Sequence, residues 1–332
     1  MTRANRSRTL LLMMLFAIIV TLLLPWVGHH LPPLSVIARP GADDVDAVIF
    51  WQIRTPRVLL SFLAGAGLSL GGLVFQALFR NPLATPFTLG VASGASLGVT
   101  IAVIGGFHFT MMGVSGTSLA ALGGASLSVL LVYGVARAAG KLSPTTMLLA
   151  GVAISFFFSS LILLLQYLSD AGSAYRILHW LMGDVSRANV DTLLQLTPFI
   201  ISGMLIIMPM HRELNLLSVT DDIAASRGVR VERCRLILFF AVSLMVAGIV
   251  TICGPIGFVG IMVPHICRLV IGSNHRHLIP ATLLFGGMFL ALCDTIARNI
   301  SASAEIPVGI VTALLGGPFF LWLLLGKQHK LA

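Results

Sequence analysis

The sequence predicts an all-α polytopic membrane protein of about ten transmembrane helices, and three observations carry that prediction. The 332 residues are 57% hydrophobic and 10% charged, whereas about a quarter of the residues in a soluble domain are charged. The apolar residues fall into long runs, and about 20 such residues suffice for a helix to cross a hydrocarbon core about 30 Å thick. The 21 Lys and Arg residues also divide unevenly between alternate gaps. If the first run leaves the cytoplasm, Arg3, Arg6, Arg8, Arg80, Arg137, Lys141, Arg212, Arg227, Arg230, Arg233, Arg235, Arg268, Arg276, Lys327 and Lys330 lie inside. Arg39, Arg54, Arg57, Arg176, Arg187 and Arg298 then lie outside. This asymmetry satisfies the positive-inside rule. Both ends are therefore expected in the cytoplasm, which requires an even number of crossings.

The first run, residues 10–27, follows three arginines and has the look of a secretory signal. Pro25-Trp26-Val27-Gly28-His29-His30 offers no small-residue cleavage site, so a retained anchor is expected. The second, 49–79, is longer than a perpendicular crossing needs, which predicts tilt or a protruding end. Further spans are expected at 88–105, 114–136, 143–168, 191–210, 234–253, 257–271, 279–297 and 307–326. Gly67 with Gly71 and Gly94 with Gly98 have the spacing that lets helices approach closely. The run Gly254-Pro255-Ile256-Gly257-Phe258-Val259-Gly260 predicts a helix break, because Pro lacks a donor and Gly tolerates unusual backbone angles.

Residues 1–332 are read as one transmembrane domain. The longest cytoplasmic gap, 211–235, is too short for a nucleotide-binding fold, so any energy source must sit on another chain. Gly140-Lys141 fails as a phosphate loop, with Val135 in the first glycine position and Leu142 after the lysine. The spans are nearly free of acids, Asp294 being the main exception, which disfavours a proton-driven carrier. The net charge of +9 lies in separate short loops and reads as a topology signal rather than a nucleic-acid surface. Cys234, Cys253, Cys267 and Cys293 occupy different spans without metal spacing, and are expected to be small buried hydrophobes.

Several motifs occur in order from about residue 50 to 325. They are Arg54-Thr55-Pro56-Arg57, Gln76-Ala77-Leu78-Phe79-Arg80-Asn81-Pro82-Leu83-Ala84-Thr85-Pro86, Leu89-Gly90-Val91, Gly94-Ala95, Leu148-Leu149-Ala150-Gly151, Gly254 to Gly260, Val263-Pro264-His265-Ile266-Cys267-Arg268 and Glu305-Ile306-Pro307-Val308-Gly309. In combination they resemble the FecCD family, the permease subunits of ABC importers for iron-siderophores, haem and cobalamin. The resemblance implies a type II ABC importer permease fold in the inner membrane. It also implies a second permease subunit, in a homodimer or a pseudo-dimer with a close relative, two ATPase subunits, and a periplasmic or lipid-anchored binding protein. ATP and magnesium would belong to the ATPase, with no cofactor, metal or catalysis in this chain.

The resemblance also assigns roles. Arg54, Arg57 and Arg298 match docking cations for carboxylates on the binding protein, a role suited to outward-facing arginines in an acidic exterior. Arg54 and Arg57 are three apart and would share a helix face, and Arg298 could instead pair with Asp294 four residues earlier. Residues 214–235 match a coupling loop of two short helices, in which Leu216, Leu217, Val219, Asp221, Asp222, Ala224 and Gly228 would meet the ATPase. Ser218 or Thr220 can cap a helix there and Gly228 can end it. Asn81, Leu83, Pro144 and Thr145 match a cytoplasmic gate, with Pro144 a departure from the pattern. His265 reads as a structural histidine, while His29, His30 and His108 beside Met111 and Met112 leave an exterior haem or metal relay open.

The expected function is translocation of an iron(III)-siderophore-type chelate by alternating access, with cobalamin or haem as the alternative cargo. An ion-coupled carrier and a membrane-embedded enzyme are the rivals from other classes. The first predicts transport without an ATPase, and the second requires a set of catalytic side chains near one interface, for which Asp43, Asp44 and Asp46 are poor candidates.

Overall fold

The computed structural model describes residues 3–28, 30–38, 40, 44–107, 109–111, 113–140, 142–300 and 305–328. His29, Arg39, Asp43, His108, Met112, Lys141 and Lys330 lie outside the described residues. Every expected span forms a helix. These are α1 (Arg3–Leu23), α2 (Thr55–Phe79), α3 (Val91–Ile104), α4 (Gly116–Ala138), α5 (Pro144–Leu168), α7 (Val190–Ile207), α10 (Val231–Cys253), α11 (Val259–Ile271), α12 (His275–Ile300) and α13 (Val308–Gln328). Among the described residues, seven helical segments are long and apolar enough to cross a membrane, and α3, α11 and α13 supply shorter apolar stretches.

Among the described residues, three further α-helices of six residues or more occupy the connections. α6 (Ala171–Leu181) follows α5, and α8 (His211–Leu217) and α9 (Asp221–Ser226) follow α7. No span is expected from the sequence over α6. Its start is set by Asp170, whose side chain accepts from the Ser173 backbone N–H at 3.0 Å, a side-chain cap on an otherwise orphaned donor.

α2 is the hub, buried along almost its whole length and packed against α10, α11 and α12. Its excess length resolves into a seven-residue π-helical stretch, Val48–Arg54, ahead of the regular helix. The Thr55 hydroxyl donates to Phe50 O at 2.7 Å across five residues, fitting the wider π turn. Two backbone contacts seal the hub. A Cβ at Gly65 would fall on the Gly286 carbonyl of α12, and one at Gly72 on the Gly260 carbonyl of α11. On the far side, α3 packs on α4 with Gly94 against Gly124 and Gly98 against Ala120, so the small-residue spacing serves helix packing.

The expected break is present. α10 ends at Cys253, Gly254 adopts φ 67° and Phe258 φ 65°, and α11 begins at Val259. The break is stitched to its neighbours, with Asp184 N–H donating to Cys253 O at 2.8 Å and Gly309 N–H to Gly183 O at 3.1 Å. The ends of α6 and α10 and the start of α13 therefore meet around an open groove of about 470 Å³. Its lining is apolar side chains and backbone, including Leu181, Met182, Pro255, Ile310 and Leu314.

Candidate functional site

Sequence-derived candidates gather at the two ends of the bundle, one marked by Arg57 and the other by Asp221. At the first, α1 ends in a short turn, Leu24–Trp26, whose carbonyls receive two arginines. Arg54 Nη1 donates to Pro25 O at 3.2 Å, and Arg298 Nη2 donates to Leu24 O at 2.8 Å. Both side chains remain half-exposed. Satisfying the last carbonyls of a helix with cations is favourable on both hydrogen-bond and dipole grounds.

Arg57 departs from the expectation of an outward cation beside Arg54. It is 4% exposed, and its Nε donates to both Asp294 carboxylate oxygens at 3.1 and 3.0 Å while Nη2 reaches Oδ1 at 3.0 Å. Nη1 donates to Glu305 Oε2 at 2.6 Å. One physical cause turns it inward: Asp294, buried in α12, needs a counter-ion. The alternative pairing of Asp294 with Arg298 is displaced for the same reason, since the carboxylate is already held by Arg57.

At the other end α8 and α9 form the expected helical loop. The Thr220 hydroxyl caps α9 by accepting from Ile223 N–H at 3.2 Å, and Gly228 closes it at φ 82°, the left-handed backbone that favours glycine. The apolar residues divide by direction. Leu214, Leu217 and Ala224 are buried in the chain's own core, and Leu216 is packed against it. Val219 and Ile223 are 54% and 43% exposed. Leu217 and Ala224, expected to meet another subunit, are thus corrected to anchors of the loop, because a six-residue helix needs a buried face to be stable. Asp222 and Gly228 face outward.

The loop is also tied to the bundle by polar contacts. Asn215 Oδ1 accepts from His275 N–H at 2.9 Å at the start of α12. Asp221, expected to meet the ATPase, turns its carboxylate to the chain's own arginines instead: it accepts from Arg235 Nη2 with both oxygens, at 2.9 and 3.0 Å, and lies 3.4 Å from Arg80 Nη1. Arg235 is 5% exposed and its Nη1 donates to Leu142 O at 2.9 Å.

Those contacts border both gate candidates. Arg80 closes α2 in a left-handed conformation, and the next residue, Asn81, accepts Leu83 N–H on its side chain at 2.9 Å, leaving Leu83 exposed. Leu142 immediately precedes the α5 cap, where Ser143 accepts Thr146 N–H at 3.1 Å. Pro144 is buried as the first residue of α5 and Thr145 is exposed. Proline suits that position because its missing N–H would have no partner there, so its side chain is a structural element and Thr145 is the outward member of the pair.

The sequence assigns no role to Arg80, Arg235, Asn215 or Glu305, although Arg80 and Glu305 stand in the family motifs. Arg235 had one legible signal, as the last charge before the apolar stretch Leu236 to Phe240, where burial demands a partner. His265 packs edge-on against Phe319 with centroids 6.1 Å apart. His30 lies 2.7 Å from Asp46 at the surface. Among the described residues no His, Cys, Asp or Glu group has the arrangement of a metal site, and the four cysteines are unbridged.

Comparison with known proteins places this architecture. The chain is 34% identical to the hemin transport system permease protein HmuU of Yersinia pestis, over 96% of this chain and 97% of that one. It is 38% identical to the molybdate import system permease protein MolB of Haemophilus influenzae, over 84% and 81%. A solved structure, described as an inward-facing conformation of a metal-chelate type ABC transporter, superposes with a TM-score of 0.86 at 33% identity. It covers 96% of this chain and 99% of that chain. The model of the FecCD transport family matches residues 6–326: the chain is a member of that family of ABC transporter permeases, with an all-α polytopic membrane fold.

Proposed function

We propose that the chain is the permease subunit of an inner-membrane importer that moves an iron(III)-siderophore-type chelate by alternating access, powered by ATP hydrolysis on separate subunits. The Asp221 end then faces the cytoplasm with both termini, and the Arg57 end faces outward to receive a binding protein. The observation that carries the coupling part is the divided loop. Leu217 and Ala224 fix it to the bundle while Val219 and Ile223 present an apolar face, which in a cytoplasmic loop calls for a protein partner, here the ATPase. A second copy of the chain would complete the path, and Arg54 and Arg298 remain the half-exposed cations suited to carboxylates of the binding protein.

For cargo, the apolar groove at the ends of α6, α10 and α13 favours a shielded complex over a bare ion. A molybdate-like oxyanion would call for cationic or N–H donors along the path, whereas a ferric chelate, haem or cobalamin presents a bulky organic surface. Haem is kept as the second reading because the HmuU relative covers nearly the whole chain.

The test is reconstitution with ATPase and binding protein, followed by ATP-dependent uptake of a ferric hydroxamate, haem, cobalamin and molybdate in parallel. Ferric hydroxamate uptake is expected, abolished by Val219→Asp with Ile223→Asp through loss of the ATPase. Uptake of molybdate alone would overturn the cargo assignment, and ATPase retention by the doubly substituted chain would overturn the coupling face.

A further inference from the structure

We propose that Asp221 is the positioning residue through which movement of the α8–α9 loop reaches both gate segments at once, with Arg80 and Arg235 as its two arms. The inference deepens the importer reading above and rests on it.

Asp221 opens α9, a helix whose exposed apolar residue is Ile223, so displacement of that face moves the Asp221 backbone directly. One arm runs to Arg80, 3.4 Å away, which adjoins Asn81 and the exposed Leu83. The other runs to Arg235, held by both carboxylate oxygens at 2.9 and 3.0 Å. Arg235 in turn grips Leu142 O at 2.9 Å, one residue ahead of the cap that starts α5. The two gate segments are 60 or so residues apart in sequence, and one carboxylate stands between them.

The chemistry suits a link that transmits and can also reset. A guanidinium donating from two nitrogens, one to a carboxylate and one to a carbonyl, is a planar fork that fixes direction as well as distance. Arg235 is buried, so breaking its carboxylate contact leaves a cation with reduced compensation, and the loop is held in register with α5. The Asp221 side chain is 38% exposed and Arg80 31%, so water can take over the Arg80 arm when the loop swings. One arm is firm and the other can be released. A coupling element of this kind needs two arrangements of similar free energy rather than one rigid weld.

The test uses the full chain assembled with its ATPase and binding protein in lipid nanodiscs. Leu83→Cys, in a Cys234→Ser background, reports the gate as the change in labelling by a membrane-impermeant maleimide on adding ATP and vanadate. This readout needs no knowledge of the cargo. Asp221→Asn is expected to leave the ATPase bound and hydrolysing while reducing the nucleotide-dependent change in labelling about tenfold. Asp221→Glu is expected to restore most of it, and Glu232→Gln, which removes an exposed carboxylate from the same end of α10, to leave it intact. Should Asp221→Asn fail to fold, Arg80→Asn removes the exposed arm alone and tolerates the left-handed backbone; a severalfold loss is expected.

An assembled, hydrolysing complex whose labelling response ignores Asp221→Asn or Arg80→Asn overturns the relay alone. Loss of the ATPase from Asp221→Asn also overturns it, assigning Asp221 to the docking face instead. An unmodified chain that retains no ATPase overturns the importer reading and the relay together.

Discussion

The two ends of the bundle solve the same electrostatic problem in opposite ways. At the Arg57 end one buried arginine serves two acids, Asp294 and Glu305; at the Asp221 end one acid serves two arginines, Arg80 and Arg235. The arginines at the centre of each are almost equally buried, with side chains 5% and 6% exposed. The carboxylates differ: Asp294 has 1% of its side chain exposed and Asp221 has 38%. A carboxylate removed from water on all sides cannot exchange its partner for solvent, so the Arg57–Asp294 pair acts as a strut between α2 and α12. A carboxylate with one side in water can let a contact go at small cost. The difference teaches that similar ion-pair geometry becomes a brace or a hinge according to the exposure of the acid.

Three substitutions put numbers on that contrast. Asp294→Asn should have the largest effect, about 3–5 kcal/mol of lost stability, because it removes the buried counter-ion of Arg57 and leaves that charge only the exposed Glu305. Unfolding in detergent measures it, and Arg57→Met with Asp294→Leu should recover most of the loss, since replacing a whole buried pair is far milder than breaking it. A cost below about 1 kcal/mol for the single change would erase the distinction between strut and hinge. Asp221→Asn should come next, about 1–3 kcal/mol, as Arg235 keeps its bond to Leu142 O and loses its charged partner. Glu305→Gln should be smallest, about 0–1 kcal/mol, because that carboxylate is largely in water. A Glu305 effect as large as that of Asp294 would mean that the triad acts as one unit, which a double-substitution cycle would show as strong coupling.

Much of this architecture was legible in the sequence, because hydrophobic length and loop charge report directly on crossing a membrane. The break at Gly254 to Phe258, the Thr220 cap and the Gly228 terminus were equally readable, since each is a local backbone requirement met by local residues. Direction was harder. Leu217 and Val219 look alike in sequence, and only the packing of α8 on the bundle shows that one is an anchor and the other a contact surface. The inward turn of Arg57 depends on a carboxylate 237 positions away, which leaves no trace in the local sequence. The inner node hides for the same reason, because Asp221, Arg80, Arg235 and Leu142 come from four separate segments.

The glycine contacts along α2 carry a mechanical consequence. Where Gly65 meets Gly286 and Gly72 meets Gly260, main chain lies on main chain, with no side chain between to change rotamer and absorb a slide. α2, α11 and α12 therefore form a stator, a solid wall against which other parts turn. α5 and α13 lie outside that wall, with Phe156, Phe157, Leu163, Leu314 and Leu321 exposed on their outer faces. Arg80 belongs to the stator and Leu142 leads into α5, so the Asp221 carboxylate sits at the bearing between the fixed and the turning part.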